Sequence, residues 1–285
     1  EKQGRFWLEN RASKLIEQDG SFSQYSLNYH RMMLDTYSFS EVWRRRLGLA
    51  TFSPNLYSKL SLATNWLYQL VDPLSGDGPN LGGNDGAKLL QLTDSHYRDY
   101  RPSIQLAMTL FENRLAYPNT GFLSHHLAWL DVLPGKGKAN GYKSTNFNCG
   151  GYKLMRHGHA KAILRFPNFR YRPSQCDALH LDLWVADENL LCDAGSYSYN
   201  SVPDLSWYFG GAAGHNTVQF DSRDQMPKIS RFLFGSWLRP SSISEVVDSS
   251  NGSRCSAGYI DLMGCKHERD VLLKDGSIIV LDNIS

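Results

Sequence analysis

Three strings in this 285-residue chain carry residue types that could move a proton or hold a charged ligand. The first is Asn28-Tyr29-His30-Arg31. On a helix, successive residues point about 100° apart, so these four cannot share a face. His30 falls on an apolar stripe with Leu27 and Leu34, which fits a satisfied interior histidine. Tyr29 points elsewhere, near the helix start, where the dipole favours an anion. A phenol there could act as an acid or a base; the alternative is a packed tyrosine with its hydroxyl hydrogen-bonded. The second string runs from Gly210 to Asp221 as GGAAGHNTVQFD. If Val218 and Phe220 face a core, then His215, Thr217, Gln219 and Asp221 line the opposite face, which suits a cleft. Glycines beside His215 would let a bulky ligand approach closely; the alternative is a solvent-facing edge strand. The third is Asp177-Ala178-Leu179-His180-Leu181-Asp182, followed by Asp193 to Asn200. His180 and Asp182 share a strand face and could bind a metal, orient a substrate or simply hydrogen-bond within it. The doublet His125-His126 lies on a predicted helix and looks incidental. H-E-x-x-H, G-x-S-x-G and a phosphate loop are absent, which disfavours a zincin protease, an α/β-hydrolase and a P-loop enzyme.

The elements that must position these residues change character midway. Leu8, Ala12, Leu15 and Ile16 recur at helical spacing before Asp19-Gly20. A second helix fits 27–47, with Gly48 just past its end, and a third opens at Ser53-Pro54, a cap followed by proline. Residues 72–86 form a long glycine-rich loop, and loops of that length are often functional. Further helices fit 103–115 and 121–130. From about Gly150 the period becomes two. Leu179, Leu181 and Leu183 alternate with His180, Asp182 and Trp184, as in a strand with one buried face. Val271 and Leu273 lead through Asp275-Gly276 to an apolar run at 278–281, which reads as a hairpin. The expectation is a helical domain, then an all-β domain, with the boundary between 131 and 150. The final strand reaches Ser285 without a turn and the first helix lacks a visible cap, so the chain is expected to be the middle of a larger protein.

Hydrophobic residues make up 41% and charged residues 20%, enough apolar content for a core and against wholesale disorder. The longest purely aliphatic run, 278–281, is far below the roughly 20 residues of a membrane helix. Glu1 to Gly4 is polar and does not read as a signal segment. Five cysteines without CxxC spacing argue against a zinc ribbon or a disulfide scaffold. The net charge of +2 hides an asymmetry: residues 132–176 contain nine Lys and Arg and no Asp or Glu. Such a stretch can attract a polyanion or be a plain solvated face. Nucleic acid is not expected as the partner, because no recognition motif accompanies the charge.

The strings DGSFSQYSLNYHRMMLD, DALHLDLWVADENLLCDAGSYSYN and YFGGAAGHNTVQFDSRDQM resemble the heparinase II/III-like polysaccharide lyases, which include certain alginate lyases. The likeness covers nearly the whole chain, in order. It implies part of an (α/α) toroid over 1–135, then an antiparallel β-sandwich over 148–285. It also implies β-elimination on a uronic-acid polysaccharide. An Asn or His group neutralises the uronate carboxylate, a tyrosine or histidine removes the C5 proton, and a tyrosine protonates the leaving glycosidic oxygen. The chemistry is coherent, since a uronate C5–H is too weak an acid until the carboxylate charge is offset. Tyr29 matches the family's catalytic tyrosine. His215 matches a histidine that reaches an interdomain cleft, as base for one epimer or as a substrate holder. Asn28, His30 and Asn216 are expected to bind substrate or support the site. The family's neutralising Asn-His pair belongs several tens of residues before the tyrosine, and residues 1–28 offer none. Many relatives bind zinc through a histidine two positions after the catalytic one. Here that position is Thr217. His267 could match another ligand, but one histidine does not make a zinc site, so no metal or other cofactor is expected. The expected partner is an acidic polysaccharide, without a membrane span. The alternative is a non-catalytic, glycan-binding relative in polysaccharide assembly.

Overall fold

A computed structural model describes residues 1–118, 121–230 and 232–285. They divide into two compact units: 1–23, 27–78 and 86–142 in the first, and 24–26, 79–85 and 143–285 in the second.

The first unit is helical. Its helices are α1 (Lys2–Leu15), α2 (Leu27–Arg46), α3 (Pro54–Leu70), α4 (Arg101–Glu112) and the single-turn α5 (His125–Trp129). The predicted start of α3 is built from its own residues: Ser53 Oγ accepts the Leu56 amide at 3.2 Å, and Pro54 sits at the first helical position. Gly48, at φ +60°, lies just past the end of α2. The helix expected over 103–115 stops at Glu112 because Asn113 turns left-handed. The chain then forms β1 (Arg114–Leu115), paired in parallel with β2 (Gly137–Lys138). The helix expected over 121–130 is a 3₁₀ turn at Gly121–Ser124 leading into α5. Val42, Leu90, Leu106, Leu110, Leu127 and Leu130 form one shared core. The loop after α3 is tied down by ion pairs Arg98–Asp77 and Arg101–Asp99, both at 2.8 Å.

The second unit is a sandwich of two five-stranded antiparallel sheets among the described residues. One sheet runs β3 (Thr145–Phe147), β4 (Tyr152–His157), β5 (Ala160–Arg165), β6 (Leu181–Val185) and β7 (Glu188–Leu191) in that order. Next come α6 (Pro203–Gly210) and a small hairpin of β8 (Lys228–Ser230) and β9 (Leu233–Phe234). The other sheet holds β10 (Pro240–Ile243), β11 (Val247–Ser249), β12 (Gly252–Ile260), β13 (Lys266–Lys274) and β14 (Ser277–Ile284). Met155, Ala162, Leu164, Leu181 and Leu183 from the first sheet pack against Cys255, Ala257, Tyr259, Val271 and Leu273 from the second. The predicted hairpin is present, with Gly276 at φ +67° in the turn joining β13 to β14.

Two strand expectations need correction. The strand around Leu181 is not half-exposed: His180, Asp182 and Trp184 are as buried as the leucines. It lies in the interior of its sheet, where Asp182 accepts the Trp184 indole N–H at 2.6 Å and the Lys161 ammonium sits over the Trp184 ring. The segment 215–221 is not a strand. It follows a 3₁₀ turn at Ala212–Gly214 and ends in left-handed residues at Asp221 and Ser222, so Val218 and Phe220 do not alternate into the core.

The short pieces 24–26 and 79–85 are built into the second unit. The Tyr25 hydroxyl accepts the Arg170 and Tyr171 amides at 2.9 and 3.0 Å, and its ring lies beneath the Arg165 guanidinium. Ser196 Oγ donates to the Gly82 carbonyl at 3.2 Å and accepts the Asn84 amide at 3.1 Å.

Candidate functional site

In the first unit, Tyr29 lies in the opening turn of α2, half-buried, between two buried neighbours. His30 points into the core. Its Nε2 donates to the Ala63 carbonyl at 2.8 Å, and its ring stacks on Trp66 with centroids 4.4 Å apart. Burial pushes its pKa down to about 4, against the pull of the Ala63 carbonyl, so the ring is neutral. This is the satisfied interior histidine that its place on the apolar stripe suggests. Asn28 is buried, and its Oδ1 accepts from Arg31 at 2.6 Å. That contact fixes the amide, leaving its NH₂ as a buried donor without a partner among the described residues. Arg31 also donates to the Tyr97 carbonyl at 2.6 Å and lies over the Tyr97 and Tyr100 rings. The turn that carries Tyr29 is therefore braced by a buried guanidinium.

In the second unit, two strings that sequence spacing keeps apart converge. His215 and His180 meet edge to face, ring centroids 5.5 Å apart. Asp193 lies against both, 3.5 Å from His215 Nε2 and 3.9 Å from His180 Nε2. Asp182 is 3.8 Å from His180 Nε2. All four side chains are buried. His215 Nδ1 donates to the Gly211 carbonyl at 2.7 Å, while His180 Nδ1 accepts the Asn216 amide at 3.0 Å, which leaves the His180 proton on Nε2. Burial works against a charged His215, but the Asp193 carboxylate outweighs it and raises its pKa to about 9. Asp193 is affected reciprocally: burial pushes its pKa up, yet the two histidines and the Gly195 amide bring it below the usual carboxylate range. His215 is therefore an imidazolium at neutral pH, with one N–H on a carbonyl and the other facing a carboxylate.

The remaining sequence candidates have structural partners. Asn216 spends both amide protons on backbone, donating to the Leu181 and Cys192 carbonyls at 3.1 Å each. Thr217 donates to the Ala178 carbonyl at 2.6 Å. His267 is buried on β13 with Nε2 2.8 Å from Asp282 Oδ1. The cluster of His180, Asp182, Asp193 and His215 has the donor types a metal would use, and His180 Nε2, His215 Nε2 and one Asp193 oxygen make no hydrogen bond of ordinary length among the described residues. Among the described residues, however, no three such side chains are arranged to hold an ion. Asp193 opens the run that follows the third string, but its spacing in the sequence assigns it no role. Its signal was the Asp-Ala-Gly run, in which the Gly195 amide folds back 2.7 Å onto the carboxylate.

Tyr29 and Asn28 thus belong to one unit, and His180, Asp193, His215 and Asn216 to the other.

Residues 139–285 match the family model described as heparinase II/III-like, C-terminal. Among solved structures, a heparinase III (BT4657 gene product) matches with TM-score 0.73 at 16% identity, over 100% of this chain and 41% of that one. A heparan sulfate lyase, HepC from Pedobacter heparinus, matches with TM-score 0.69 at 16% identity, over 99% of this chain and 41% of its own. A further heparinase III matches with TM-score 0.68 at 16% identity, over 98% and 42%. At that identity the likeness shows the fold: helices followed by an antiparallel β-sandwich. The chain spans about two fifths of the length of these structures. No curated protein matches it.

Proposed function

The chain belongs to the heparinase II/III-like family, and from that premise we propose that the protein it represents is a polysaccharide lyase. It would cleave a uronic-acid-containing polysaccharide by β-elimination. The C5 proton is removed, the C4–O bond breaks, a C4=C5 double bond forms, and the leaving oxygen takes a proton. Tyr29 is the acid, and the base for one C5 epimer. Asn28 keeps a fixed amide donor beside it. Of the two roles open to His215, holding the substrate fits better than taking the proton. An imidazolium with both N–H groups directed at oxygens has no lone pair to accept one.

The observation that carries this reading is the convergence of His180, Asp193 and His215, all inside the matched residues, on one buried cluster. The test is incubation of the full-length protein with a panel of polyuronates and glycosaminoglycans, following the absorbance of unsaturated uronate ends. New absorbance with at least one polymer is expected. Binding of the polymers without any unsaturated product would replace the lyase by the glycan-binding alternative.

A further inference from the structure

The inward face of β13 changes chemistry along its length. At its C-terminal half Val271 and Leu273 enter the apolar core. Two and four residues earlier, on the same face, stand Arg269 and His267. Arg269 is 7% exposed. Its Nε and one terminal nitrogen grip both Asp282 oxygens on β14, at 2.7 and 2.9 Å. This two-point pairing fixes the plane of the guanidinium. The other terminal nitrogen is thereby aimed across the sandwich, where it donates to two carbonyls: Leu179 at 2.6 Å and Asn216 at 2.5 Å.

Those carbonyls belong to the two strings that build the histidine cluster. Leu179 precedes His180 and is held at φ +58°, a left-handed backbone that strains a leucine. Asn216 follows His215, and its amide is the donor to His180 Nδ1. One nitrogen thus ties the turn before His180 to the turn after His215. We propose that Arg269 is a positioning residue for this cluster: oriented by Asp282, it clamps the Leu179 and Asn216 carbonyls and so sets the ring orientation and tautomer of His180 opposite Asp193 and His215. It rests on the reading of the cluster as part of the functional site, but the clamp itself can be tested without turnover.

The experiment is nitrogen NMR of the histidine rings, with amide exchange at Asn216, in the wild-type chain, Arg269→Met and Arg269→Lys. In the wild type, His180 shows a single tautomer with the proton on Nε2. In Arg269→Met the tautomers mix and the Asn216 amide exchanges about tenfold faster, as expected for one lost charge-assisted hydrogen bond. Arg269→Lys keeps the charge but cannot reach Asp282 and both carbonyls together. It restores packing and melting behaviour while the His180 tautomers still mix. Should Arg269→Met fail to fold, the lysine variant decides alone. A folded variant with the wild-type His180 tautomer and Asn216 exchange overturns the proposal. If the full-length protein yields no unsaturated product yet these ring signals respond, the lyase reading falls and the clamp stands.

Discussion

In the role proposed for Tyr29, its phenol acts through one exchangeable proton, and Tyr29→Phe keeps the ring while removing the hydroxyl that carries that proton. Turnover of the full-length protein on its polyuronate should fall by roughly 10²- to 10⁴-fold, the loss typical of a general acid–base group, with folding nearly intact. Near-normal elimination by this variant would take Tyr29 out of the mechanism. His215 supports a pH prediction with a definite sign. Its folded pKa, about 9, lies above the roughly 6.5 of a free imidazole, so the folded state binds that proton more tightly. The stabilisation is complete below about pH 6.5 and is lost as pH rises through about 9. Asp193, depressed, adds stability that disappears only as pH falls below its ordinary value. Melting temperature should therefore drop between pH 6.5 and 9.5 in the wild type, and less in His215→Gln. Parallel curves would show that the pair is not coupled as described. The sequence made Tyr29, His215 and His180 visible through their neighbours. It showed Asp193 beside the third string but not its role, because an aspartate is informative only once the histidines it faces are known.

Elements announced by local chemistry were legible. The start of α3 at Ser53-Pro54, the glycine past α2 and the Asp275-Gly276 turn each depend on residues a few positions apart. Elements decided by distant partners were not. The strand at Leu181 looks half-exposed because histidine and aspartate are polar, yet its second face is buried under its own polar pairings. The run 215–221 alternates like a strand, but Thr217 and Asn216 spend their donors on carbonyls of other segments, and the chain turns instead. The end of α4 shows the same dependence and gives a test. Gln105, fully buried, accepts the Ala116 and Tyr117 amides at 2.9 and 3.0 Å and donates to the Tyr117 carbonyl at 3.1 Å. Gln105→Leu keeps the helix but leaves these groups buried without partners. It should lower stability by about 1–3 kcal/mol, read by denaturant midpoint. A loss no greater than that of an exposed substitution would mean that the turn finds other donors.

Over the whole molecule, the acid-free basic stretch proves to be two populations. Lys153, Lys161 and Arg165 are buried. Lys153 bonds to Asn146 and Asn148, Lys161 covers Trp184, and Arg165 pairs with Asp177. Lys136, Lys138, Lys143, Arg170 and Arg172 remain exposed. Arg156 is half-buried between these two groups. The five exposed cations are the ones open to a polyanion, and beyond about 8 Å their attraction is screened at physiological ionic strength. Affinity for an acidic polysaccharide should weaken steadily with added salt, and charge reversal at Arg170 and Arg172 should weaken it further. A salt-independent affinity would deny the exposed cations that part.

The attachment of residues 24–26 and 79–85 to the sandwich means that its boundary in space is not a boundary in the gene. A polypeptide beginning at Lys143 would contain every strand of both five-stranded sheets, yet it would lack the Tyr25 hydroxyl that receives the Arg170 and Tyr171 amides and the ring beneath Arg165. During synthesis, the tyrosine leaves the ribosome more than a hundred residues before its partners and must wait for them. The β unit thus incorporates pieces of chain that are made with the helices.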